Sequence, residues 1–169
     1  MNSTRNGAHG SSASYVVEVA SRFGNADAAG ASILSQLPSL GIAGVREVHV
    51  SALYQIGGRL SPTQMHQVAR ELLADPVTQE YRMDLATPSP AFLLGPHWRL
   101  EVWLKPSVTD PVGPSVAKGV ADLGLPAPDS VRTGLAYHLL GRIARPQAEK
   151  VLSKLLANPV IHRTRLEHA

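Results

Sequence analysis

Glu71-Leu72-Leu73-Ala74-Asp75-Pro76-Val77 and Lys154-Leu155-Leu156-Ala157-Asn158-Pro159-Val160 are one phrase written twice. In each, a Leu-Leu pair closes an apolar helical stripe and an Asp-Pro or Asn-Pro step stops the helix, because proline cannot continue it. Sliding the chain by about 83 residues extends the match without a gap, aligning 15–84 with 98–167 at roughly a quarter identity. Tyr54 then faces Tyr137, Gly58-Arg59 faces Gly141-Arg142, Glu18-Val19 faces Glu101-Val102, Asp27 faces Asp110, Gly30 faces Gly113, and Leu40-Gly41 faces Leu123-Gly124. The fold is therefore read as a tandem duplication.

Each copy yields the same order of elements. Trp98 to Lys105 alternates, so Trp98, Leu100, Val102 and Leu104 share one strand face, and Tyr15 to about Arg22 is its counterpart. A helix follows, with Asp110 expected as its N-cap and Pro111 at its first position, and with Gly41 and Gly124 at left-handed helix ends. Ile33, Leu34, Leu37 and Leu40 form its apolar stripe in the first copy, and Val112, Val116, Val120 and Leu123 do so in the second. Next comes an extended run, Val48 to Ile56 or Val131 to Leu139, each ending near a Gly-Arg pair expected to break one long strand into two. Met65, Val68, Ala69, Leu72 and Leu73, matched by Ala148, Val151, Leu152, Leu155 and Leu156, mark a second helix, and a short strand closes the copy. Strand, helix, strand, helix, strand is an α+β half-sandwich related to the ferredoxin-like folds. A unit of about 70 residues buries a marginal core, so the two copies are expected to pack as an intrachain pseudo-dimer about a two-fold axis. Residues 1–14, rich in Ser, Gly and Asn, read as a disordered tail, and residues 85–97, with three prolines, as a linker.

Composition narrows the function. The 169 residues carry a formal charge of +3 with no Lys/Arg run, which gives no support to nucleic-acid binding. Cysteine is absent, excluding disulfides, Cys-ligated zinc and a thiolate nucleophile. No apolar run reaches the roughly 18 residues of a membrane helix and the start lacks a secretory core, so a cytoplasmic protein is expected. The seven histidines show no metal-ligand spacing. His49 and His138 are read on strands in different registers, and His97, His162 and His168 in linker or terminal segments, all as structural side chains. Gly57-Gly58-Arg59 lacks the context of a phosphate loop and reads as a β-bend. No serine sits on an elbow motif, so no catalytic residue is assigned. Two features ask for another explanation: Trp103, on a strand face otherwise made of Arg99, Glu101 and Lys105, and the polar loop Lys105 to Gly113. Trp103 either covers the sheet locally or marks a partner surface.

These residues carry a resemblance. Leu104-Lys105-Pro106, Asp110-Pro111 and Gly113, then Val131-Arg132-Thr133-Gly134, then Leu155 to Val160 resemble, in order and spacing, the motifs of the PurS subunit of phosphoribosylformylglycinamidine synthase. The family usually has a lysine after the Val-Arg-x-Gly pattern, where this chain has Leu135. The first copy is more distant, and the pair is similar to the amino-terminal part of the long, fused synthases. The resemblance implies a place in the fourth step of purine biosynthesis, bridging a glutaminase subunit and an ATP-dependent synthetase subunit, with self-association a further expectation. It implies no cofactor in this chain and no catalysis by it. Trp103, Lys105, Pro106, Asp110, Gly113, Arg132 and Asn158 are the candidate partner interface. The alternative from a different class is a tandem regulatory domain of ferredoxin-like type, binding a small effector between paired sheets.

Overall fold

The computed structural model describes residues 12–83, 89–93 and 95–169. Within them the chain runs β1 (Ala13–Ser21), α1 (Ala28–Gln36), β2 (Val45–Gly58), α2 (Pro62–Val68), β3 (Gln79–Arg82), β4 (Trp98–Leu104), α3 (Gly113–Asp122), β5 (Ser130–Gly141), α4 (Arg145–Val151) and β6 (His162–His168). The tail read over residues 1–14 lies outside the described residues up to 11, and Ala13 already belongs to β1. Helices α2 and α4 each finish in a wider turn, in which the amides of Ala74 and Ala157 reach back five residues to the carbonyls of Ala69 and Leu152. Gly41 and Gly124 end the first helix of each copy with φ of 73° and 75°, a conformation that costs glycine least.

All six strands join one antiparallel sheet in the order β3-β1-β2-β5-β4-β6. Read from either edge it is the same sheet, and the registers repeat as well: Val17 opposite Tyr54 in the first copy becomes Leu100 opposite Tyr137 in the second. The copies meet along β2 and β5 through an unbroken ladder from Glu47–Leu140 to Gly57–Ser130. The expected pseudo-two-fold and continuous sheet are therefore present. Among the described residues the strands form one sheet, so the paired sheets of the regulatory-domain alternative are not present within them.

The helices lie on one face, where they cross between copies. One core joins Val17, Val19, Ile56, Met65 and Val68 of the first copy to Val116 and Val120 on α3 of the second. The other joins Leu37 and Ile42 of the first copy to Leu100, Val102, Leu139, Val151 and Leu152 of the second. Neither copy closes its own core, which is how units too small to be stable alone become stable together.

Several expectations require correction. Helix α3 begins at Gly113 after Val112, with Pro114 in its first turn, because the Asp110 carboxylate is drawn inward to Thr133 and caps from a distance through the amides of Val112 and Gly113. The Gly-Arg pairs do not divide a strand: β2 and β5 end at Gly58 and Gly141. His49 and His138, assigned to different registers, are direct cross-strand partners. The charged face of β4 is not exposed, since Arg99 is 1% and Glu101 8% accessible.

Candidate partner interface

The loop after β4 is held by four devices, each with a counterpart in the first copy. Asp110 accepts from the backbone and hydroxyl of Thr133 at 2.7 and 2.8 Å as well as from Val112 and Gly113, while Asp27 accepts from Gly30 and Val50. Burial would raise the Asp110 pKa, but the bonds from Thr133 and the loop amides hold it below the usual carboxylate value. Lys105 donates its ammonium to the Pro159 carbonyl and its amide to Ile161, as Arg22 does to Pro76 and Thr78. Asn158 Oδ1 accepts from Val160 N at 2.9 Å, as Asp75 accepts from Val77. Gly113 allows the helix to approach Val131, as Gly30 does at Val48.

These clamps shape a cleft of about 330 Å³ whose lining includes Lys105, Pro106, Asp110, Gly113, Asp129 and Arg132. Five of the seven sequence-selected residues therefore converge. Asn158 is one step away, in the turn that Lys105 grips. The Trp103 ring packs against Gly134, the residue opposite it on β5, and its indole N–H donates to Glu101 at 2.9 Å. Half-buried in this way it covers the sheet, on the strand face that also carries Arg132. Lys105, Asp110, Gly113 and Asn158 are occupied by the loop itself. Arg132 has neither a side-chain hydrogen bond nor an ion pair among the described residues.

Sequence reasoning missed a second assembly, buried on the sheet face opposite the helices. Glu18 on β1 and Arg99 on β4 meet across the two intervening strands at 2.9 and 3.0 Å, above the small side chains of Ser51 and Ala136. Arg99 Nε also donates to Glu101 at 3.0 Å, and His138 Nε2 lies 3.0 Å from Glu18 and 3.1 Å from Ser51. His97, from the linker, closes the group with its Nε2 3.4 Å from His138 Nδ1 and 3.2 Å from Ser89. Burial opposes charge on Glu18, yet the bond from His138 and the Arg99 charge bring its pKa below normal. Burial pushes His138 down, so it stays neutral and donates Nε2–H to the carboxylate. Ser, His and Glu are thus together but cannot act as a triad, because serine and carboxylate share one ring nitrogen rather than opposite ones and Ser51 is fully buried. The signal was available in the repeat, which places Glu at both 18 and 101 on the strand face without the apolar stripe.

Among the described residues no group of three His, Asp or Glu is arranged to hold a metal, and no helix is long and apolar enough to cross a membrane. Fold and cleft together define a class: a pseudo-symmetric tandem α+β protein whose distinctive surface is a clamped loop. The PurS family model, described as phosphoribosylformylglycinamidine (FGAM) synthase, matches the chain twice, over residues 14–87 and 97–169. The chain belongs to the PurS family, as a tandem duplication, and is tied through it to FGAM synthase and purine biosynthesis. None of the curated proteins matches the chain.

Proposed function

We propose that this chain is a non-catalytic coupling subunit of FGAM synthase, working in the cytoplasm and bridging a glutaminase subunit that releases ammonia and a synthetase subunit that spends ATP on the amide. The observation that carries the reading is the cleft at Lys105 to Gly113, where the family's motif residues converge around Arg132, an arginine with no described internal partner. Lys105, Asp110, Gly113 and Asn158 hold the loop and its neighbouring turn, whereas the half-buried Arg132 makes no side-chain hydrogen bond or ion pair among the described residues. Arginine is enriched among the residues that dominate protein interfaces. The chain takes no cofactor of its own in this reading, and its internal two-fold supplies the pairing that self-association would otherwise provide. Size-exclusion chromatography of the chain with both subunits tests it: one species containing all three is expected, and elution of three separate components under every nucleotide condition would refute it.

A further inference from the structure

The counterpart of the cleft in the first copy already holds a side chain. The Phe92 ring, from the linker, lies 5.8 Å from Phe23 at a tilt of 51° and 5.2 Å from His49, edge-on at 74°. The repeat puts Pro106 at the position of Phe23 and Arg132 at that of His49, and both line the open cleft of the second copy. One two-fold therefore relates a filled aromatic seat to one that no aromatic side chain among the described residues is seen to fill. The linker reaches the first seat on its way into β4, and the equivalent approach to the second is the segment entering β1. There the residue matching Phe92 is His9, and residues 1–11 contain no Phe, Trp or Tyr.

We infer that the cleft receives an aromatic side chain of a partner polypeptide, seated against Pro106 with the Arg132 guanidinium on its face. This rests on the coupling-subunit reading and names the chemistry of the contact. His49 meets the Phe92 ring edge-on, and a guanidinium also packs favourably on an aromatic ring, so having Arg132 in place of His49 keeps the seat aromatic. An anion is a poorer occupant: the carboxylates of Asp110 and Asp129 line the same cleft and offset Lys105 and Arg132. The cleft, at about 330 Å³, exceeds one aromatic ring and admits flanking backbone as well.

Two measurements decide it. In the assembly with the glutaminase and synthetase subunits, Arg132→Ala and the cleft-filling Ala117→Phe should each weaken association about tenfold or more, the scale of an anchor at an interface. Arg132→Lys should not restore it, since an ammonium lacks the planar face. In the isolated chain, N-acetyl-phenylalanine amide at millimolar concentration should shift the NMR signals of Arg132 and Val108, N-acetyl-leucine amide should not, and Arg132→Ala should abolish the response. Normal association by folded Arg132→Ala and Ala117→Phe overturns the inference and leaves the coupling reading standing. If the wild-type chain fails to assemble, that reading falls and the NMR measurement alone decides the seat, with equal shifts from both amides or none counting against it.

Discussion

Ala52 and Leu135 occupy the same position in the two copies and are also each other's cross-strand partner. A residue can face its own counterpart only on the axis that relates them, so the pseudo-two-fold passes through this pair. The sheet is then continuous across the axis and both cores are shared. Leu135 stands where the family usually has a lysine, and it is 41% accessible on the axis itself.

Shared cores make the halves interdependent. Chains cut within the linker and expressed separately should each lack a stable monomeric fold, because α1 and α3 then lose the partners they pack against. Mixed, they should form a 1:1 complex with the circular dichroism of the intact chain. Two independently folding monomers in the ultracentrifuge would contradict the shared-core description.

Gly30 and Gly113 are equivalent but not equally tolerant. A methyl group on Gly30 would collide with the Val48 carbonyl, whereas on Gly113 it would stand 3.2 Å from the Val131 carbonyl. Alanine in a helix gains up to about 1 kcal/mol over glycine, so contact decides the sign. Gly30→Ala should lose about 3 kcal/mol and Gly113→Ala about 1 or less, the range for overpacking. Equal losses in urea denaturation would show that β2 yields as readily as β5.

Arg99 neutralises carboxylates that have no water to turn to. Arg99→Met should cost about 3–5 kcal/mol, since it leaves Glu18 and Glu101 buried beside an apolar chain. Adding Glu18→Gln should recover part of the loss, a non-additivity that a double-mutant cycle measures. Strict additivity would mean that the pair does not interact across β2 and β5.

Acid should destabilise the fold in two stages. His138 has a folded pKa below its ordinary 6.5 because it is buried, so as pH falls through about 6.5 the unfolded chain takes up a proton that the folded chain refuses, and stability drops. Glu18 is also depressed, despite its burial, by His138 and Arg99, so its contribution is complete above its ordinary 4.5 and is lost as pH falls toward the folded value. The slope is at most about 1.4 kcal/mol per pH unit for each proton. His138→Gln should remove the upper stage while lowering stability at all pH values. A wild-type profile flat from pH 7 to 5 would contradict a neutral buried His138.

Most of this architecture is readable from periodicity. Apolar residues at alternating positions placed the strands, and the stripes on Met65 to Leu73 and Ala148 to Leu156 placed the helices, because one-sided burial imposes those spacings. The start of α3 was misread because Asp110-Pro111 has the composition of a cap, while the tertiary bond to Thr133, not local preference, decides where the helix begins. The burial of Arg99, Glu101 and His138 was illegible for a related reason: polar alternation signals an exposed face unless something covers it. Here the cover includes the linker residue His97, itself 4% accessible. Five of the candidate interface residues line one cleft, but the internal bonds that several of them make were not legible in the sequence; these emerge from the matching bonds of Lys105 with Arg22 and Asp110 with Asp27.

Coupling without catalysis is the role proposed for this chain. It is tested most directly by measuring glutamine-dependent amidine formation by the glutaminase and synthetase subunits while this chain is titrated in. The account predicts that activity is low without the chain, rises to a plateau at fixed stoichiometry, and is supported by no glutamine or ATP turnover in the chain alone. Full glutamine-dependent activity in its absence, or turnover of either substrate by the purified chain, would contradict it.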